Sequence, residues 1–145
     1  VALPLAVIAG LGVFAVSGGF DRPATGPVTV ETPPAGATAD ADCATVLGKL
    51  PTQLGDRQAR PVSDAPQRVV AWGDPPVVLR CGVAAPAVAQ DAQLVTVDGV
   101  TWTSLERADV VVWTTTGRPV AVELRVPSGD QAQALLVSVA PALRG

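Results

Sequence analysis

Apolar residues change their spacing several times along this chain. Val1 to Val16 form an uncharged, almost wholly apolar run. From Phe20 to Ala41 the pattern dissolves into Pro, Ala, Gly and Thr, with Pro23, Pro27, Pro33 and Pro34 and only Val28 and Val30 hinting at extended chain. Such a stretch cannot bury enough apolar surface to offset the entropy of ordering, so it reads as a linker. After it, Val46, Leu47, Leu50 and Leu54 recur at roughly helical spacing, which predicts a first helix capped by Asp42, with Cys43 in its first turn and a break or restart at Pro51.

From Gln67 onward the period shortens to that of strands. Val69-Val70-Ala71-Trp72, the turn Gly73-Asp74-Pro75-Pro76 and the run Val77-Val78-Leu79-Arg80-Cys81 predict two strands, the second apolar enough to lie centrally. In Leu94 to Trp102 the Asp98-Gly99 pair suits a type I′ turn, placing Val95, Val97, Val100 and Trp102 on one face and Thr96 and Thr101 on the other. In Ala108 to Val126 a two-residue Gly117-Arg118 turn sets Trp113 opposite Val122 and Val111 opposite Leu124, with Glu123 and Arg125 pointing outward. Pro119 lacks a ladder donor and belongs at a strand start or an edge. Ser128 and Gln131 have capping-box spacing ahead of Ala132, Leu135, Leu136, Val139 and Leu143, a closing helix that Pro141 should end or kink. Trp72, Trp102 and Trp113 fall on the core faces, with buried rings and bonded indole N–H groups.

The expected fold class is therefore α+β: an antiparallel sheet with N-terminal and C-terminal helices packed on it, carrying one disulfide and preceded by an apolar transmembrane or signal segment. The expected domains are residues 1–19 as that segment, 20–41 as linker and 42–145 as the folded unit, to which residues 1–41 contribute nothing.

At about 1.5 Å per residue the run from Val1 to Val16 spans roughly 24 Å, short of the ~30 Å hydrocarbon core. With neither an initiator Met nor a basic flank, the expectation is a hydrophobic segment whose positively charged start lies upstream. An uncleaved anchor, a signal cleaved near Ala15-Val16-Ser17 and a buried soluble helix are the alternatives. A lipoprotein is disfavoured because Cys43 follows Ala41-Asp42 instead of a lipobox. The expected localisation is the cell membrane, single-pass with the domain outside the cytoplasm, or secretion if the segment is removed. Cys43 and Cys81 are the only cysteines, and an even count in an exported chain favours a bridge over two free buried thiols, a metal site or a catalytic thiol. That bridge would pin the first helix to the central strand.

Composition narrows the chemistry. Lys occurs once and Ile once, while Asn, Tyr, His and Met are absent, a bias that GC-rich codons produce. The net charge is -3 and the ten basic residues are scattered, which argues against a nucleic-acid partner. The absence of His rules out Ser-His-Asp and Cys-His arrangements.

The block Ala71-Trp72-Gly73-Asp74-Pro75-Pro76-Val77-Val78-Leu79-Arg80-Cys81-Gly82-Val83, the Val97-Asp98-Gly99-Val100 hairpin with Trp102, and Trp113-Thr114-Thr115-Thr116-Gly117-Arg118 leading into Val122-Glu123 occur in one order. Over residues 43 to 145 the chain resembles the actinobacterial domain of unknown function 3515 family. The resemblance implies membrane-anchored or secreted proteins of GC-rich Gram-positive bacteria and implies no activity.

Two functional classes follow. The favoured one is a binding or assembly module tethered to the membrane by its N-terminal segment, whose partner is an envelope protein or cell-wall component and whose candidate surface groups are Asp74, Arg80, Arg118, Glu123 and Arg125. The bland reading of the arginines is that Arg80 and Arg125 are solvated strand residues and Arg118 a turn residue. The alternative is a carboxylate-dependent hydrolase of the envelope using Asp74, Asp98, Asp109 and Glu123 as paired acids and bases. No catalytic residue, metal ligand or cofactor is expected on the favoured reading.

Overall fold

The computed structural model describes residues 24–31, 33, 39–63, 67–88 and 90–144. The expected transmembrane or signal segment, residues 1–19, lies outside them. No described helix is long and apolar enough to cross a membrane.

The elements run α1 (Asp40–Lys49), β1 (Gln53–Leu54), β2 (Arg57–Arg60), β3 (Val69–Trp72), β4 (Val77–Val83), β5 (Leu94–Val97), β6 (Val100–Arg107), β7 (Val110–Thr115), β8 (Ala121–Pro127) and α2 (Ala132–Leu143). The strands form one antiparallel sheet in the order β1-β2-β3-β4-β8-β7-β6-β5. Two four-stranded meanders thus lie side by side, joined through the last strand of each. This is the expected α+β architecture, with both helices against one face of the sheet. Trp72, Leu79, Cys81, Trp102, Val122 and Leu124 on that face pack with Cys43 and Val46 of α1 and Leu136 and Val139 of α2. Cys43 and Cys81 are bridged, with Cα atoms 5.6 Å apart, inside the range a disulfide demands. The bridge ties α1 to the central strand.

Residues 24–31 correct the expectation that nothing before Asp42 enters the core. Val28 bridges Val62 in parallel fashion, its N–H donating to the Pro61 carbonyl at 2.8 Å while its own carbonyl accepts from Ser63 N–H at 3.0 Å. Val28 and Val30 are buried against Val69, Ala71 and Val78 on the reverse face of the sheet. The Pro-rich composition hides this because the segment gains its backbone partners from Pro61 and Ser63 and its apolar cover from the far side of β3 and β4. Ala39 also joins the main core. At about 0.8 kcal/mol per buried methylene, the double replacement Val28→Ala/Val30→Ala should lower stability by about 3 kcal/mol in urea unfolding. A true linker would leave the midpoint unmoved.

Other local expectations also shift. Helix α1 starts at Asp40, and Ala39 at its N-cap supplies no side-chain hydrogen bond. Asp42 lies in the first turn, where its charge favours the helix dipole, instead of capping. Leu54, assigned to the helical period, is fully buried in β1. Strands β1 and β2 carry too few apolar residues to announce themselves. In the first hairpin Asp98 (φ 48°) and Gly99 (φ 82°) occupy the left-handed region, Val95 pairs with Trp102, and the Thr96 and Thr101 hydroxyls meet at 2.9 Å on the other face.

The second hairpin slips by two residues: Trp113 pairs with Leu124 and Val111 with Val126. A two-residue turn would need the N–H of Pro119 to close it, and proline has none. The connection instead covers 116–120, and the buried Thr115 hydroxyl accepts the Val122 N–H at 2.9 Å. A slip of two preserves the inward faces. Trp102 is fully buried, but Trp113 only partly. Trp72 Nε1 donates to the Pro51 carbonyl at 3.0 Å, whereas the Trp102 and Trp113 indole nitrogens lack partners among the described residues, contrary to the expectation of bonded indoles.

The expected Ser128–Gln131 capping box is absent. Ser128 N–H donates to the Asp109 carbonyl at 2.8 Å, Gly129 turns at φ 93°, and α2 starts after Gln131 with no side-chain cap. Pro141 sits inside the last turn without ending it. At the β3–β4 turn Gly73 is required both by φ 73° and by space, since a Cβ there would lie 2.4 Å from Arg57 Cγ.

Candidate functional site

Strand alternation sends Arg80, Glu123 and Arg125 to the face away from the helices, and register brings them together. Arg80 stands opposite Glu123 across the β4–β8 seam, with Nη1 donating to Glu123 Oε1 and Oε2 at 3.2 and 3.3 Å. Arg80 Nε donates to the Glu31 carbonyl of the N-terminal strap at 3.1 Å. Arg125 Nε also donates to Glu123 Oε1. The Arg80 and Glu123 side chains are only 7% and 11% exposed, so neither is the solvated strand residue that alternation alone suggests. Burying this pair is tolerable because each charge is matched and hydrogen-bonded.

Two hollows adjoin the cluster. The connection from β4 to β5 passes over the reverse face, and beneath its residues Ala84, Pro86 and Ala87 is a cavity of about 420 Å³ that also reaches Thr103, Leu105, Arg107, Val112, Thr114, Glu123 and Arg125. On the other side of Arg125, a groove of about 480 Å³ runs between the strap at Val28 to Glu31 and the β7–β8 end of the sheet, with Asp109 and Val110 in its wall. Arg125 belongs to both. The reverse face is thus a trough with the strap on one bank and the crossover on the other.

Asp74 and Arg118 lie apart from this cluster. Asp74, in the β3–β4 turn, accepts the Ala24 N–H at 3.0 Å and lines a separate hollow with Arg57, Arg60 and Asp130. There Asp130 pairs with Arg57 at 2.5 Å, and Arg60 donates to the Gly26 and Gly73 carbonyls at 3.0 and 2.8 Å. Those charges tie the strap, a turn and the approach to α2 to β2. Arg118 Nη1 donates to the Leu143 carbonyl, satisfying an orphan acceptor at the end of α2.

The four carboxylates weighed for acid–base work do not gather. Asp74, Asp109 and Glu123 line three different hollows, and Asp98 sits in the β5–β6 turn. Among the described residues no group of three or more His, Cys, Asp or Glu side chains is placed to hold a metal.

Leu105 and Arg107 were not among the expected surface groups. The signal for them is the β6 alternation itself: once Trp102 faces the core, Thr103, Leu105 and Arg107 face the trough. Leu105 is 54% exposed, more than any other large apolar side chain among the described residues.

No curated protein and no solved structure matches the chain. The family model described as "Protein of unknown function (DUF3515)" matches residues 1–144. With the match covering nearly its whole length, the chain belongs to the DUF3515 family.

Proposed function

We propose that this chain is a binding module of the cell envelope, held at the membrane through its apolar N-terminal segment, and that it takes its partner in the trough on the reverse face of the sheet. The observation that carries this reading is the trough itself. Both helices pack on the opposite face, leaving an open floor where exposed Leu105 lies beside Arg107 and Arg125. An apolar anchor next to guanidinium groups is the composition of a recognition surface, not of a solvated sheet face. The Cys43–Cys81 bridge supports an oxidising compartment, and the dispersal of Asp74, Asp98, Asp109 and Glu123 favours binding over hydrolysis.

The test is capture from the native envelope by the wild-type chain and by Leu105→Glu, followed by mass spectrometry of what is retained. Leu105 is exposed, so the variant should melt with the wild type. A partner held by the wild type and lost from Leu105→Glu is the expected result. Equal recovery by both would move the binding surface elsewhere.

A further inference from the structure

The trough has a chemical preference at its crossover end, and this inference rests on the binding reading above. Glu123 is the one carboxylate lining the cavity beneath Ala84, Pro86 and Ala87, and its oxygens are already engaged by Arg80 and Arg125. Arg125 spends only its Nε–H on Glu123; its two terminal amino groups make no hydrogen bond among the described residues, and its side chain is 37% exposed. Arg107 lines the same cavity, and its guanidinium makes neither a hydrogen bond nor an ion pair among the described residues. Val112 pairs with both Leu105 and Arg125, so Arg107 and Arg125 stand two strands and one pleat apart, with backbones roughly 12 Å from each other on strand spacings.

In this chain of net charge -3, the cavity thus concentrates positive charge. Arg80 offsets Glu123, and the donors of the Arg107 guanidinium and the terminal amino groups of Arg125 remain open. The Thr103 and Thr114 hydroxyls, opposite each other on the same face, add further donors, while Leu105 and Val112 form an apolar floor. Glu31 and Asp109 line the adjoining groove, which places the cationic end under the crossover. We infer that this cavity binds an oxyanion, carboxylate or phosphate, carried on a small apolar body, with Arg107 and Arg125 flanking the anion and Leu105 and Val112 receiving the body. Guanidinium forks match both oxyanions and form strong, charge-assisted hydrogen bonds with them.

The experiment is nitrogen-detected NMR of the chain titrated separately with isobutyrate, inorganic phosphate and uncharged isobutyramide. Isobutyrate or phosphate, or both, should shift the Arg107 and Arg125 Nε–H signals and the Thr114 amide saturably, and isobutyramide should not. Arg107→Gln, at an exposed position, should keep the wild-type spectrum elsewhere and weaken anion binding about tenfold. Saturation by phosphate alone identifies a phosphorylated ligand, and tighter binding of isobutyrate a carboxylate. No saturable shift with either anion, equal shifts with isobutyramide, or unchanged affinity in Arg107→Gln would overturn the inference. If Leu105→Glu still abolishes envelope capture while the anions fail to bind, the binding module stands and only its oxyanion preference falls. Anion binding without loss of capture overturns the binding reading instead.

Discussion

Replacing Cys43 and Cys81 together by alanine is expected to lower the unfolding free energy by about 4 kcal/mol, the value that chain entropy assigns to a loop of this size. The two residues are 38 apart in sequence, and the bridge removes from the unfolded ensemble the conformations in which they separate. It also holds α1 on β4, because the helix offers the core only Cys43 and Val46 as fully buried residues. The loss is comparable with the 5–15 kcal/mol net stability of a typical domain, so the reduced chain should unfold at much lower urea concentration. Equilibrium unfolding of the oxidised wild type against the double variant measures it. A difference under about 1 kcal/mol would mean that helix packing alone fixes α1.

Glu123→Ala should cost nearly as much, about 3–5 kcal/mol, the usual loss when one member of a buried ion pair is removed. The Arg80 guanidinium would remain 7% exposed with its charge uncompensated, and only the Glu31 carbonyl would still accept from it. Arg125, nearer to solvent, can turn outward and contributes less to the penalty. Replacing both partners by apolar residues of similar size, Arg80→Met with Glu123→Leu, removes the charge and its counter-charge together and should recover most of the loss. The double-mutant cycle by urea unfolding separates these terms. Additive single and double variants would show that the pair is not coupled.

Elements whose partners lie close in the chain are legible in the sequence. The Asp98-Gly99 hairpin, the strand from Val77 and the closing helix follow from turn chemistry or apolar period, and the bridge between Cys43 and Cys81, although its ends lie 38 residues apart, follows from cysteine count. What depends on distant partners is not legible. Val28 and Val30 look like linker residues until Val62, Val69 and Val78 cover them, and the second half of β2, Ala59 and Arg60, takes its ladder partners from the more distant β3. The register of the second hairpin is readable in principle from the missing N–H of Pro119. Alternation places Glu123 and Arg125 on the face away from the core, but the crossover that borders that face leaves no periodic trace, which is why Leu105 and Arg107 go unnoticed. Arg118 is at a turn, as the bland reading has it, and its carbonyl partner at Leu143 is set by the end of α2.

The joining of the two meanders through β4 and β8 imposes an order on folding when the chain is delivered from its N-terminus. Both cysteines belong to the first half, so oxidation can lock α1 onto β4 before any residue of the second half is present. Strand β4, buried in six of its seven residues, then waits with an open edge until the last strand of the described chain arrives. An interrupted chain therefore presents its most extensively buried strand as a template for pairing with other copies, with Arg80, its one charge, pointing from that strand as a deterrent. The residue that later holds Glu123 and the strap in place thus guards the unfinished protein first.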